Sequence, residues 1–182
     1  MPHIDLGNQY PGIVGLMVRH PETAKHINAL VESLLREPHS LSSGEREMIA
    51  AYVSLQNECN FCHQCHAAAA NAHLQDDYQV LDAVFANPAT APISDKMKSL
   101  LAIAGKVKES GRAVTAEDIA AARDHGATDD EIHHTVLIAA TFCMLNRYVD
   151  GLGTFSPENR EAYAEMGGML AHQGYLNALP PQ

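Results

Sequence analysis

The chain has 182 residues, with 22 acidic and 12 basic side chains and a formal net charge of −10. A chain of this length can form one domain with its own core, burying on the order of 70% of its unfolded surface, so we expect a single domain over residues 1–182. The acidic charge argues against nucleic acid and anionic membranes, both of which require clustered Lys and Arg. We therefore expect small molecules or other proteins as partners.

The first six residues, MPHIDL, contain neither the basic nor the apolar region of a secretory signal. The longest apolar run, residues 136–145, is much shorter than the ~20 residues of a membrane span. Both features predict a cytoplasmic protein. In that reducing compartment, closely spaced cysteines are more often redox-active or metal-binding than joined in a structural disulfide.

Helical periodicity predicts an all-α fold, since no stretch shows the alternating pattern of a strand. Pro21 begins a predicted helix that runs to about Arg36. The sequence Ser42-Ser43-Gly44-Glu45 is a capping box for a second helix, which should end near Asn57. Asn60 is the predicted cap of a third helix, so the cysteines that surround it should lie at a helix N-terminus.

The C-terminal half continues the helical pattern. A helix is predicted from about Ser94 to Lys108, closed by Gly111. Thr115 begins a short helix that Gly126 ends. Thr128-x-x-Glu131 is a second capping box, and it begins a long helix.

The long helix is apolar on every side over residues 136–145, which predicts burial all round, partly in the domain centre and partly in a subunit interface. His133 and His134 point about 100° apart on it, and we expect neither to be catalytic. Asn146-Arg147 followed by Asp150 is interpreted as a local ion pair rather than a substrate clamp.

An eight-residue segment, CNFCHQCH, holds three of the four cysteines. Cys59 and Cys62 are spaced i, i+3 on one helical face, where a disulfide can form and open with little backbone movement. At a helix N-terminus, the free N–H groups and the helix dipole stabilise a thiolate. His66 lies four residues after Cys62 and can take its proton, which indicates a Cys–His nucleophile pair. Cys65, at i+3 from Cys62, is a further candidate disulfide partner.

Two ligand-binding interpretations compete with the redox one. A zinc site would draw on Cys59, Cys62, His66 and either Cys65 or His63. Successive helical turns place these side chains poorly for a closed tetrahedron. The sequence from Cys62 to His66 also matches the C-x-x-C-H of covalent haem attachment, but such haem is normally attached outside the cytoplasm.

The remaining interpretations are less demanding. An iron–sulfur cluster would need a fourth cysteine at position 69, which is Ala69. The cysteines could also be small buried thiols without a chemical role, which fits Cys143 best because it lies inside the apolar helix. We predict no cofactor and no bound metal.

The pattern resembles the alkylhydroperoxidase D and carboxymuconolactone decarboxylase superfamily, and within it the group described as peroxidase-related proteins. The resemblance covers residues 41–66, LSSGEREMIAAYVSLQNECNFCHQCH, and residues 129–153, which include FCMLNRYVDGLG. It implies an all-α homo-oligomer, often a trimer or hexamer. The implied activity is peroxidase or disulfide reductase chemistry driven by a thiol reductant.

The site that the resemblance implies consists of Glu47, Cys59, Cys62 and His66. The family's alkylhydroperoxidase branch has a glutamate on the preceding helix, C-x-x-C, and a histidine four residues after the second cysteine. That branch also has a histidine immediately before its second cysteine, where this chain has Phe61. Cys65 is an additional thiol that the family motif does not require.

The placement of Glu47 makes a geometric prediction. Twelve residues of continuous helix would put it about 18 Å from Cys59, too far for a shared site. If the chain reverses between Asn57 and Asn60, Glu47 instead lies opposite residues 66–70, where it could orient His66. We therefore predict a bend at this point.

The leading hypothesis is a thiol oxidoreductase in which Cys62, deprotonated with help from His66 and Glu47, attacks a hydroperoxide and Cys59 resolves the sulfenate as a disulfide. A dithiol or thiol-protein donor would then reduce the disulfide. The helix terminus favours Cys59 as the more acidic thiol, whereas the histidine favours Cys62 as the attacking one. The alternatives are a zinc-stabilised assembly protein and a decarboxylase of the carboxymuconolactone type acting on cyclic acids.

Overall fold

The computed structural model describes residues 2–178, so Met1 of the N-terminal segment discussed above lies outside the described residues. Over the described range the chain forms nine α-helices and one short 3₁₀ turn at Gly111–Ala113, without a strand. The all-α prediction is confirmed. The helices are α1 (Gly12–Arg19), α2 (Pro21–Leu35), α3 (Ser43–Gln56), α4 (Asn60–Leu74), α5 (Gln79–Ala86), α6 (Asp95–Glu109), α7 (Ala116–Asp124), α8 (Asp129–Gly151) and α9 (Glu161–Gln173).

Side-chain caps define where the helices begin. Ser42, Thr115 and Thr128 each accept a hydrogen bond from the backbone three residues on, and an acidic side chain returns a bond to the cap backbone. Ser94 caps α6 in the same way but without the reciprocal bond. These caps use backbone N–H groups that a helix otherwise leaves without partners, and they explain why the predicted starts agree with the structure.

The helix α3 lies at the centre and packs against α4, α8 and α6, while α4 packs between α3 and α9. Ile49 and Val53 of α3, Leu101 of α6 and Ile138 of α8 are completely buried in the resulting core. The antiparallel pair α3–α4 therefore forms the frame on which the cysteine segment is held.

Small residues bring α9 close to α4. Residues 67–70 of α4 are four buried alanines, and Gly167 of α9 lies directly against Ala68. A Cβ atom added at Gly167 would be 2.4 Å from the Ala68 Cβ, which is closer than two carbon atoms can approach. This contact sets the position of α9 and of the residues that follow it.

Several predictions of detail were wrong. Cys59, not Asn60, is the N-cap of α4, and its side chain makes no capping bond. Ser110, not Gly111, is the C-cap of α6. The sequence analysis did not identify α1, α5 or α9.

The middle of α8 is not buried all round within the chain. Leu137 and Met144 are exposed at 38% and 51%. Thr135 and Thr141, which interrupt the apolar pattern, are buried instead. The contribution of this helix to a subunit interface stays a prediction. Among the described residues, none of the helices is long and apolar enough to cross a membrane.

Candidate active site

The turn between α3 and α4 places the cysteine pair. After Gln56 the chain reverses at Asn57 and Glu58, and Glu58 adopts a left-handed backbone conformation with φ of +61°. The Cys59 N–H then donates to the Ser54 carbonyl over 3.0 Å, which closes the turn. Cys62 falls in the first turn of α4 as a result. The predicted bend is confirmed.

The reversal brings Glu47 and His66 into contact. The Glu47 Oε2 atom is 2.7 Å from the His66 Nδ1 atom, and Glu47 is fully buried. A buried carboxylate has to be paired and hydrogen-bonded to be tolerated. Because the carboxylate accepts the proton on Nδ1, the Nε2 atom of a neutral His66 carries a lone pair. The ring is held against the edge of Phe142, with centroids 4.5 Å apart.

Tyr175 is a third member of this group, and sequence reasoning missed it. Its hydroxyl donates to Glu47 Oε1 over 2.5 Å and lies 3.3 Å from His66 Nδ1. Burial, and then the Glu47 charge, raises the pKa of Tyr175 well above its ordinary value, so the hydroxyl keeps its proton and remains a donor. Tyr175 follows Gly174 just after α9, in a segment that carries no motif.

Cys59 and Cys62 are both reduced and buried. A hydrogen bond between them, and then burial, raises the pKa of the Cys62 thiol well above its ordinary value. A thiol in this condition keeps its proton at neutral pH and needs a base at the moment it reacts. The position of Cys62 at the helix N-terminus is therefore not enough to make its thiol acidic.

Two polar residues of α8, one helical turn apart, contact the two thiols. The Asn146 amide hydrogen-bonds Cys62 and partly offsets the rise of its pKa. Asn146 is itself fixed in orientation, since it accepts from Asn57 over 2.9 Å and donates to Ser54 over 3.1 Å. Burial raises the pKa of Asp150, and the neighbouring Cys59 thiol partly offsets this rise.

The ion pair predicted between Arg147 and Asp150 at this end of α8 does not form among the described residues. The Arg147 guanidinium donates to the Cys143 carbonyl over 2.8 Å, and no salt bridge joins it to Asp150 among residues 2–178. Of the two histidines near the start of α8, His133 is exposed and His134 contacts the Leu34 carbonyl.

The third cysteine of the segment faces α9. The Cys65 Sγ atom lies 3.1 Å from the Met166 Sδ atom, and burial followed by the Glu47 charge raises the Cys65 pKa well above its ordinary value. Cys143, half-buried on α8, lies 3.5 Å from the Asn57 amide nitrogen. The part of the chain that the structure describes contains no group of three or more His, Cys, Asp or Glu residues placed to hold a metal ion. The zinc set considered from the sequence is thus not assembled.

A cavity of about 500 Å³ opens beside the cysteine segment. Cys62, Cys65 and His66 form one wall, whereas Cys59 is fully buried and does not line the cavity. The other walls are mostly apolar and come from α1, α2, α8, α9 and the segment around Tyr175. A volume of this size suits an organic molecule rather than a diatomic or triatomic one.

The all-helical fold is similar to that of alkylhydroperoxidase D-like proteins, and part of the chain matches the carboxymuconolactone decarboxylase family. Residues 21–106 match the carboxymuconolactone decarboxylase family model. No curated protein is significantly similar to the chain.

Two solved structures are similar to the chain. One is the alkylhydroperoxidase AhpD core of a peroxidase-related protein from Ralstonia eutropha JMP134, at 27% identity and a TM-score of 0.76, covering 87% of this chain and 81% of that one. The other is a peroxidase-related protein from Silicibacter sp. TM1040, at 27% identity and a TM-score of 0.74, covering 84% and 78%.

Proposed function

We propose that the protein is a thiol-dependent peroxidase, or disulfide oxidoreductase, whose redox pair is Cys59 and Cys62. The observation that carries the proposal is the 2.7 Å contact between Glu47 and His66 in the wall of a cavity to which Cys62 is open. The description of both similar structures as peroxidase-related supports it.

In the first step, His66 Nε2 takes the Cys62 proton, directly or through one water. The sulfur attacks the terminal oxygen of a hydroperoxide, so that an S–O bond forms and the O–O bond breaks. The alkoxide takes the proton back from His66 and leaves as the alcohol. Glu47 accepts the Nδ1–H throughout and stabilises the transient imidazolium, and Tyr175 holds the carboxylate in place.

In the second step, Cys59 attacks the Cys62 sulfenic acid. The S–S bond forms, the S–O bond breaks, and the hydroxide is protonated to water. Asp150, which neighbours Cys59, accepts the proton of that thiol and passes it to the leaving hydroxide, which becomes the water. A dithiol donor then reduces the disulfide by exchange and is itself oxidised to a disulfide.

Access decides which thiol attacks. Cys62 lines the cavity, whereas Cys59 is covered on all sides. The raised pKa of Cys62 does not exclude this role, because the Glu47–His66 pair supplies the base that a protonated thiol requires. We therefore assign the attack to Cys62 and the resolution to Cys59.

The assignment is tested by trapping the sulfenate. The Cys59→Ser variant, treated with one equivalent of cumene hydroperoxide and then dimedone, should carry the adduct on Cys62 in peptide mass spectrometry. Wild type should instead form a Cys59–Cys62 disulfide, and Cys62→Ser should form neither species. An adduct on Cys59 in the Cys62→Ser variant would show that the roles are exchanged, and unreacted thiols in wild type would contradict the peroxidase proposal.

A further inference from the structure

The cavity beside Cys62 contains a polar group that the peroxidase reaction does not use. Asn28, in the middle of α2, lines this cavity and is 6% exposed. No hydrogen bond joins its side chain to any of residues 2–178.

Asn28 is not among the sealed side-chain groups that lack a hydrogen bond in the described residues, and its amide is instead accessible from the cavity. In that position it can bond water or a ligand, whereas an apolar side chain of similar shape would serve equally well as plain wall. Asn146, a second buried asparagine near the site, differs in this respect, because its side chain hydrogen-bonds both Asn57 and Ser54. The Asn28 amide is thus available to a ligand in the cavity, to which it offers both a donor and an acceptor.

The charges around the cavity limit the ligand further. Its lining includes one carboxylate, Glu165 at the rim, and neither Lys nor Arg among the described residues. In the wall itself, His66 is already paired with Glu47. A carboxylate ligand would lose its hydration without gaining a cation, which disfavours it strongly in an apolar site.

The apolar walls point to a ligand of variable shape. Met17, Met166 and Met169 contribute flexible thioether side chains on different sides of the space. Methionine adapts to irregular partners and is common on surfaces that bind several related ligands. The walls therefore accept an apolar body without demanding one outline.

From these observations we propose that Asn28 is a specificity-determining residue, and that the preferred substrates are neutral, apolar hydroperoxides bearing a second hydrogen-bonding group such as an ester carbonyl or a hydroxyl. The peroxide group of the substrate rests on the proposed peroxidase function. The role of Asn28 in binding does not, because the cavity would bind the corresponding alcohol in the same way. The second polar group would bond the Asn28 amide while the peroxide lies at Cys62 and His66.

The experiment compares three probes: the methyl ester of linoleic acid hydroperoxide, the free acid of the same compound, and cumene hydroperoxide. Wild type should turn over the ester with a kcat/KM at least about tenfold above that of the free acid, because the carboxylate of the acid must lose its hydration in the cavity. A loss of about 1.4 kcal/mol, for a desolvated charge or for one hydrogen bond, corresponds to a factor of ten. In Asn28→Leu, the ratio of kcat/KM for the ester to that for cumene hydroperoxide should fall about tenfold. In the control variant Thr23→Leu, on the exposed face of α2, this ratio should change less than about twofold.

A binding measurement separates this proposal from the peroxidase function. Calorimetric titration with the hydroxy methyl ester, the reduced product, should give a Kd about tenfold weaker for Asn28→Leu than for wild type, whether or not either protein turns over peroxide. Inactivity toward all three probes with this binding difference intact would overturn the peroxidase function alone. An unchanged Kd and substrate ratio in Asn28→Leu would overturn the role of Asn28.

Folding provides a further control. Since the amide makes no hydrogen bond to residues 2–178, Asn28→Leu should be as stable as wild type or more stable in urea unfolding. A clear loss of stability would indicate that the amide is used structurally and would contradict the proposal. Preference for the free acid over the ester in wild type would contradict the substrate class.

Discussion

The two walls of the cavity differ in how they are built. The inner wall comes from one contiguous piece of chain, the α3–α4 hairpin, which places Cys62 and His66 at the cavity with Glu47 and Cys59 buried directly behind them. The outer wall is assembled from α1, α2, α9 and Tyr175, which are distant in sequence. The reactive groups are thus encoded locally, whereas the surroundings of the cavity depend on the whole fold.

The inner wall should be the more sensitive to substitution. Glu47→Gln removes the charge that supports His66, and we expect kcat/KM for cumene hydroperoxide to fall about 10²- to 10⁴-fold, as for loss of a general base system. Glu45→Gln is the matched control on the same helix, because glutamine can keep the capping box, and it should change the rate less than about twofold. Equal rates in Glu47→Gln and wild type would remove the proton relay from the mechanism.

The outer wall can be displaced without touching a reactive group. Gly167→Ala puts a Cβ against Ala68 at a distance that requires α9 to shift, so we expect a loss of about 1–3 kcal/mol in the free energy of unfolding. Gly168→Ala, where an added Cβ meets no atom within 4 Å, should instead gain up to about 1 kcal/mol from helix propensity. Urea unfolding of both variants measures the difference, and a gain of stability in both would show that α9 does not rest on α4 as closely as described.

Tyr175 joins the two walls, since it belongs to the outer one and bonds Glu47 of the inner one. Tyr175→Phe leaves the buried carboxylate with one donor fewer. We expect about 1–2 kcal/mol less stability and about a tenfold lower kcat/KM. Tyr163→Phe is the control, because the Tyr163 hydroxyl donates to a loop carbonyl, that of Pro157, at 3.0 Å, and not to Glu47. An effect of Tyr163→Phe on the rate as large as that of Tyr175→Phe would argue that general packing, not the bond to Glu47, is responsible.

The smallest effect expected is on the pH dependence of stability. The folded pKa of Cys62 and of Cys65 is raised, so the folded state holds protons that the unfolded state releases. This contribution is complete below the ordinary thiol pKa of about 8.5 and is lost as the pH rises above it. Urea unfolding at pH 7 and pH 10 should show a smaller loss of stability in Cys65→Ser than in wild type, and the same loss in both would mean that Cys65 ionises normally in the fold.

The residues of the inner wall could be predicted from the sequence because they lie close together along the chain. The i, i+3 and i+4 spacings on α4, the capping box at Ser42 and the length of α3 together placed Glu47 opposite His66 once a bend was assumed. The family resemblance supplied the choice of Glu47, which spacing alone would not have selected. The bend itself depends on the left-handed backbone of Glu58, and glutamate is not a residue type that indicates this conformation.

The outer wall was not accessible, for two physical reasons. Tyr175 and Asn28 lie 109 and 38 positions from His66 in the sequence, and only tertiary packing brings them to the cavity. The close approach of α9 depends on a glycine meeting an alanine, and neither residue carries a pattern that identifies its partner. Asn146 and Asp150 were noticed, but the spacing of Arg147 and Asp150 on α8 suggested a local ion pair rather than contacts with the thiols.

Gly12 is in direct contact with Phe61, the residue before Cys62. Its backbone has φ of +51°, and a Cβ there would lie 2.1 Å from the Phe61 ring, so the ring rests directly on the glycine. The Gly12 N–H is also tied to the Phe155 carbonyl over 2.9 Å. Positions 12 and 61 are therefore sterically coupled: the aromatic ring at 61 excludes a side chain at 12, and with the glycine in place a smaller residue at 61 would leave a void at the mouth of the cavity. A substitution at either position is expected to need a compensating change in α1.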